Sequence, residues 1–423
     1  MWRSLALMDL PKIGLVLIGH KDHGKSTLAG RLLFDSGAIP EQKLKEVEAE
    51  LKIAGDESFR YAFFLDMFEE ERRNGLTIDV MQMPFRSKRY LYTIIDCPGH
   101  REFIKKMSTG ASQADAAVLV VSAKEGIQEQ TRQHAILAKT LGIRQLVVAI
   151  NKMDLVGYAE EMFLEICNKL RTILGSIGYD DPPIVPVSAL DGENVVRKSE
   201  KMRWHKGLSL IETLDENIVP SALPTGKALR ACVQDTYRIG EKEVIVCKIL
   251  TGALKAGDLV YYDPPGRRGT VVKIEGFENE AAGPGDSIGI VMDMDVGAAR
   301  GQVISHPENR ARVPRSLTAE VVIFSDKELK TGDTIRIRCG TAEANCTVQK
   351  LLEKIDPINL IASADPPSSL KNGDVGKLVL SPIEPICIEE YSEFPELGRF
   401  IIEDRIGTAA AGIVLRVETK KMR

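Results

Sequence analysis

The stretch GHKDHGKST, Gly19 to Thr27, has the residue types and spacing of a phosphate cradle. Its frame is G-x-x-x-x-G-K-[ST]. Gly19 and Gly24 allow the main chain to wrap a β-phosphate with its N–H groups turned inward. Lys25 is placed to bridge the β- and γ-phosphates, and Ser26 to ligate Mg²⁺. His20, Lys21, Asp22, His23 and Thr27 complete the loop, and the two histidines are expected to shape it without titrating. A strand-like run, GLVLIG, precedes the loop and a helical pattern begins at Lys25. That context separates a working phosphate loop from a chance Gly-Lys turn.

Two further motifs follow strand-like runs. In DCPGH, the Asp96 carboxylate can hold a metal-bound water, and Gly99 beside Pro98 lets a main-chain N–H approach the terminal phosphate. Cys97 reads as packing, and His100 stands directly after the sensing glycine. In NKMD (Asn151, Lys152, Met153, Asp154), the Asp154 carboxylate can accept from guanine N1–H and the exocyclic amine together. Adenine offers neither donor on that edge, and its selection would leave a buried charge unpaired, a discrimination of ~10⁴ or more. Ser188, Ala189 and Leu190, in VSAL, are placed to offer main-chain N–H groups to the base oxygen. The nucleotide these motifs imply is GTP.

The elements that must position these residues alternate in the first half of the chain. Buried strand runs (IGLVLIGH, YLYTIID, AAVLVVSA, QLVVAINKMD, PIVPVSAL) are separated by longer helical patterns, including QEQTRQHAILAKTLG and EEMFLEICNKLRTIL. Strand then helix, repeated, predicts a mainly parallel sheet whose ligands bind beyond the carboxyl ends of its strands. A segment from Ala38 to Asn74 interrupts the pattern and reads as a lid or recognition element. His134, on the helix after AAVLVVSA, is expected on a polar face with no role in the site. After IVPSALPTGKA, short alternating runs between Gly, Pro and Asp turns predict hairpins, divided near SHPENRARVP into two parts of small-barrel size.

A length of 423 residues is too great for one core, and a net charge of −4 makes no demand for nucleic acid or an anionic membrane. Seven cysteines without a C-x-x-C pair argue against a disulfide framework or a zinc site and for reduced thiols in the cytoplasm. No run approaches the length of a membrane span, and the apolar N-terminal run reads as a strand, not a signal peptide.

The chain resembles the translational GTPases of the elongation factor Tu and elongation factor 1-alpha family. GHxDHGKSTLxGRLLFDSGAI, ERRNGLTIDV, DCPGHREFIKKMSTGASQADAAVLVVSAKEG, VVAINKMDL and, near the end, EEYSEFPELGRFIIED look closest to the archaeal and eukaryotic branch. The resemblance implies an α/β P-loop GTPase domain followed by two all-β barrel domains, here expected at 1–222, 223–309 and 310–423. It implies that Thr77 is the switch threonine, ligating Mg²⁺ and sensing the γ-phosphate, and that His100 orients the attacking water. It also implies a GTP/GDP switch acting at the ribosome, with an aminoacyl-tRNA or a tRNA-mimicking protein as cargo and a nucleotide exchange factor.

Three departures stand out. Lys21 replaces a usual valine near the γ-phosphate; its charge either alters hydrolysis or turns to solvent. EKEVIV follows VQDTYRIG where a glycine-rich extension is usual. Asp293 and Asp295 stand where an arginine-glycine pair is common, and acidic residues there oppose a nucleic acid. Two relatives share the plan: a ribosome-rescue or termination GTPase, and the GTPase subunit of ATP sulfurylase (sulfate adenylyltransferase), whose GxNVxxxSExxxW segment is similar to GENVVRKSEKMRW. The reading adopted is translation.

Overall fold

The computed structural model describes residues 10–39, 61, 82–95, 114–140, 142–220, 224–239, 242–275, 281–355, 363, 365–404 and 407–419. They form two compact units, one α/β and one made of β-barrels.

The α/β unit is a six-stranded sheet in the order β2-β3-β1-β4-β5-β6. The strands are β1 (Lys12–Gly19), β2 (Gln82–Arg86), β3 (Leu91–Ile95), β4 (Ala116–Ser122), β5 (Gln145–Asn151) and β6 (Ile184–Pro186). All neighbours are parallel except β2, an antiparallel edge strand against β3. Every residue of β4 is buried, which is why AAVLVVS reads as an unbroken apolar run with no alternation. The register sets the site. Gly19 lies opposite Val120 and Ser122 opposite Asn151, so the phosphate loop and NKMD leave the sheet at one edge.

The helices are α1 (Lys25–Asp35), α2 (Glu129–Thr140), α3 (Glu160–Ile177) and α4 (Leu210–Asn217). On α3, Phe163, Ile166, Cys167, Leu170, Leu174 and Ile177 are buried at helical spacing, and Gly178 ends the helix with φ 90°. α4 opens with a capping box, S-L-I-E, in which Glu212 Oε2 accepts from the Ser209 N–H at 3.1 Å.

The second unit holds two closed six-stranded barrels. The first joins β7 (Arg230–Ile239), β8 (Lys242–Thr251), β10 (Leu259–Asp263), β11 (Arg267–Glu275), β13 (Ser287–Met292) and β14 (Val303–Ser305). The short pair β9 (Leu254–Lys255) and β12 (Ala281–Ala282) stands beside it as a separate two-stranded sheet. The second barrel joins β15 (Pro314–Ile323), β16 (Thr334–Cys339), β17 (Ala342–Ile355), β18 (Val375–Pro382), β19 (Arg399–Asp404) and β20 (Gly407–Thr419). Closure leaves neither barrel a free edge to pair with another chain. The barrels are pinned by a buried ion pair: Arg230, on β7, donates to Glu389 Oε1 at 2.8 Å, and both side chains are fully buried. The Arg230 guanidinium also donates to Asn309 O and Oδ1 and lies 4.3 Å from the centre of the Phe394 ring.

Candidate nucleotide site

Between β1 and α1 the main chain turns through three left-handed or extended-positive positions: Gly19 at φ 140°, Asp22 at 62° and Gly24 at 86°. The glycines are also required by space. A Cβ on Gly19 would lie 2.2 Å from Val120 O, and one on Gly24 would lie 2.4 Å from Asn151 Nδ2. The first turn of α1 carries no acidic residue and no side-chain cap, so its N–H groups and dipole are left for an anion. Lys25 Nζ donates to Gly19 O at 3.1 Å and His20 O at 2.8 Å, which holds the ammonium over the loop. Ser26 is exposed on the first turn, and its hydroxyl has no hydrogen-bond partner among the described residues. A free hydroxyl there suits a Mg²⁺ ligand.

The loop is braced from residues that its motif does not contain. The expectation of a polar face for His134 is corrected here: it is buried, and its Nδ1 accepts the Gly19 N–H at 2.9 Å. Because Nδ1 is the acceptor, a neutral His134 carries its proton on Nε2. One turn earlier on α2, Gln130 Oε1 accepts the Lys21 N–H at 2.9 Å. The Lys21 side chain itself is exposed. His23 is fully buried, with Nδ1 3.3 Å from Val120 O and Nε2 3.7 Å from Glu125. Burial holds its imidazole below the ordinary value, against the Val120 carbonyl and Glu125.

The base-reading residues meet the loop through Asn151. Its Nδ2 donates to His23 O at 3.0 Å, and its Oδ1 accepts the Ala189 N–H at 2.9 Å. One buried amide thus ties the phosphate loop, NKMD and VSAL together. The Asp154 Oδ1 accepts from Ser188 Oγ at 2.6 Å. Lys152, left-handed at φ 63°, donates to Glu125 Oε1 at 3.1 Å. Burial works against ionisation of Glu125, but the Lys152 ammonium holds its carboxyl below the usual range. Glu125 therefore stands between the phosphate loop and the base loop. Met153 is wholly buried and serves the core, while Leu190 is exposed. The expectation that Ser188 and Ala189 offer their main-chain N–H groups to the base oxygen is corrected here: these groups are directed into the protein, to Glu193 O and Asn151 Oδ1.

The structure brings together Gly19 to Thr27, Asn151 to Asp154 and Ser188 to Leu190. Thr77, Asp96, Cys97, Pro98, Gly99, His100 and most of the 38–74 insertion lie outside the described residues. Gln130, Glu125 and His134 belong to none of the nucleotide-binding motifs. The one signal for His134 was its place directly before the apolar run AILA.

The family model described as the Elongation factor Tu GTP binding domain matches residues 11–220, and the GTP-eEF1A C-terminal domain-like model matches residues 316–415. The Elongation factor 1-alpha of Saccharolobus solfataricus is 43% identical, over 97% of this chain and 98% of the relative. The chain belongs to the elongation factor 1-alpha family. It is a GTP-binding translation factor of that family. The Elongation factor 1-alpha of Methanospirillum hungatei is 42% identical over 98% of this chain and 99% of its own length. Among solved structures, a crystal structure of sup35 complexed with GDP is 27% identical, covers 97% of this chain and 96% of that one, and has a TM-score of 0.44. Among the described residues of this elongation factor 1-alpha relative, no helix is long and apolar enough to cross a membrane.

Proposed function

We propose that this protein hydrolyses GTP as a ribosome-stimulated GTP/GDP switch in the cytoplasm and carries aminoacyl-tRNA to the ribosome. The observation that supports it best is Asn151, which joins the phosphate loop to both base-reading loops at hydrogen-bond distance. In this reading Gly19 to Thr27 hold the polyphosphate, and Lys25 moves from loop carbonyls to phosphate oxygens. Asp154 selects guanine. Ser26 and Thr77 would hold Mg²⁺, which neutralises charge between the phosphates. His100 orients the water, and loss of the γ-phosphate frees the Thr77 segment. A nucleotide exchange factor then restores GTP.

Aminoacyl-tRNA is favoured as cargo by the elongation factor 1-alpha family to which the chain belongs, and the two carboxylates that argued against it have a local structural role. Asp293 Oδ1 accepts the Thr270 N–H at 2.9 Å, and Asp295 Oδ1 accepts the Gly297 N–H at 2.8 Å. Both shape the loop after β13 and need not face an anion. The test is single-turnover GTP hydrolysis with and without ribosomes. Unassisted GTPases of this mechanistic class run at ~10⁻⁴ s⁻¹, so stimulation would be large against that background. Ribosomes that leave the rate unchanged overturn the switch. Stimulation without retention of aminoacyl-tRNA on a gel overturns the cargo and moves the assignment to a tRNA-mimicking protein.

A further inference from the structure

We propose that Lys201 is a positioning residue for guanine recognition, clasping the two loops that read the base and through them fixing Asp154. The inference rests on the proposed reading of Asp154.

Each base-reading loop ends in a residue that Lys201 touches. The loop from Asn151 closes at Tyr158, whose N–H donates to Met153 O at 2.8 Å after two successive left-handed residues, Gly157 and Tyr158. A tyrosine at φ 60° is strained and needs its surroundings to hold it. The loop from Ser188 closes at Asp191, whose N–H donates to Ser188 Oγ at 3.2 Å. That same Ser188 hydroxyl donates to Asp154 Oδ1. Lys201 Nζ donates to Asp191 Oδ2 at 2.8 Å and to Tyr158 Oη at 3.1 Å, and lies 5.0 Å from the centre of the Tyr158 ring. The Tyr158 hydroxyl donates to Asp191 Oδ2 as well. A circuit therefore runs from Asp154 through Ser188, Asp191, Lys201 and Tyr158 back to Met153, next to Asp154.

The segment bearing Lys201 is itself built against these loops. Ser199 Oγ accepts the Lys201 N–H at 3.1 Å and the Met202 N–H at 3.0 Å. The Ser199 N–H donates to Asn194 Oδ1 at 2.6 Å, and Asn194 Nδ2 to Pro186 O at 3.1 Å. The Trp204 indole donates to Tyr158 O at 2.9 Å. An isolated exposed ion pair is worth little. This ammonium instead reinforces two loops already linked through Asn151 and Ala189, Ser188 and Asp154, and Tyr158 and Asp191. The Lys201 ammonium and the Tyr158 hydroxyl hold the Asp191 carboxyl below the usual range, as such a contact requires. A carboxylate must be aimed to accept from N1–H and the exocyclic amine together, and a small rotation forfeits one of the two.

The test compares GDP with IDP, which lacks the exocyclic amine, in Lys201→Met, Lys201→Arg and Tyr158→Phe, with Tm recorded for each. Lys201→Met is expected to weaken GDP binding by about 3- to 10-fold, the scale of a half-exposed charge-assisted network. IDP binding changes less, so the preference for GDP narrows. Tyr158→Phe narrows it in the same direction, and Lys201→Arg restores most of it. A lowered Tm with an unchanged GDP-to-IDP ratio in both Lys201→Met and Tyr158→Phe overturns the clasp and leaves a structural contact. Wild-type protein that binds GDP and IDP equally well overturns the reading of Asp154, and the clasp with it.

Discussion

Lys21 sits where an ammonium could reach a transferring phosphoryl group, yet the structure engages its main chain and leaves its side chain exposed. Among the described residues no hydrogen bond aims its ammonium at the loop, whereas two main-chain carbonyls hold the Lys25 ammonium there. Lys21→Val should therefore hydrolyse GTP in single turnover at the wild-type rate. A change of about tenfold, 1.4 kcal/mol in the barrier, would show the charge acting on the chemistry. His23 behaves in the opposite way, since its side chain is buried and its pKa lowered. An unfolded histidine takes up its proton near pH 6.5, whereas folded His23 does so only lower. Below that value the unfolded chain binds the extra proton, so stability falls as pH drops through 6.5 toward the depressed folded pKa. His205, also held low by burial, adds the same sign. We expect Tm to decline between about pH 7 and pH 5 and the decline to be shallower in His23→Gln; equal slopes would remove His23 from the account. Gly19, Gly24, Lys25, Asn151 and Asp154 were readable because each must sit at a fixed offset from a strand end. Glu125, Gln130 and His134 were not, because only the sheet's register brings them to the loop.

At the scale of elements, the parallel strands were legible because burial on both faces writes an unbroken apolar run. The edge strand β2 was missed for the complementary reason: QMPFR, with a proline, has neither an apolar run nor clean alternation. Helix α4 was also missed, although S-L-I-E carries the signature of a capping box at its start. Its eight residues are too few to show a period. Such a short helix depends on its cap more than on propensity. In the structure Ser209 is fully buried and gives both its N–H and its hydroxyl to Glu212. Ser209→Ala is expected to cost about 1 kcal/mol, read as a lower midpoint in urea with an unchanged slope. If the midpoint stays in place, α4 is held by Leu210 and Leu214 in the core, and the cap is incidental.

For the molecule as a whole, hairpin texture announced the barrels, but nothing local says which strands close them or what joins one barrel to the other. Arg230 and Glu389 are 159 residues apart and become partners only through the complete topology of both barrels. Their pairing is energetically two-sided. Burial pushes the Glu389 carboxyl up, against the pull of Arg230 and Arg312, so bringing this charge out of water is costly. Removing Arg230 leaves Glu389 buried with only the longer Arg312 contact, at 3.5 Å, to offset its charge, whereas removing both relieves that cost. Arg230→Met should therefore destabilise the barrel unit by ~3–5 kcal/mol, and Arg230→Met with Glu389→Leu should recover a substantial part of that loss. The measurement is a double-mutant cycle by urea unfolding. Single and double variants that lose equal stability would mean that the barrels are joined by apolar contacts such as those around Cys232, Cys339 and Leu397, and that the ion pair merely occupies the seam.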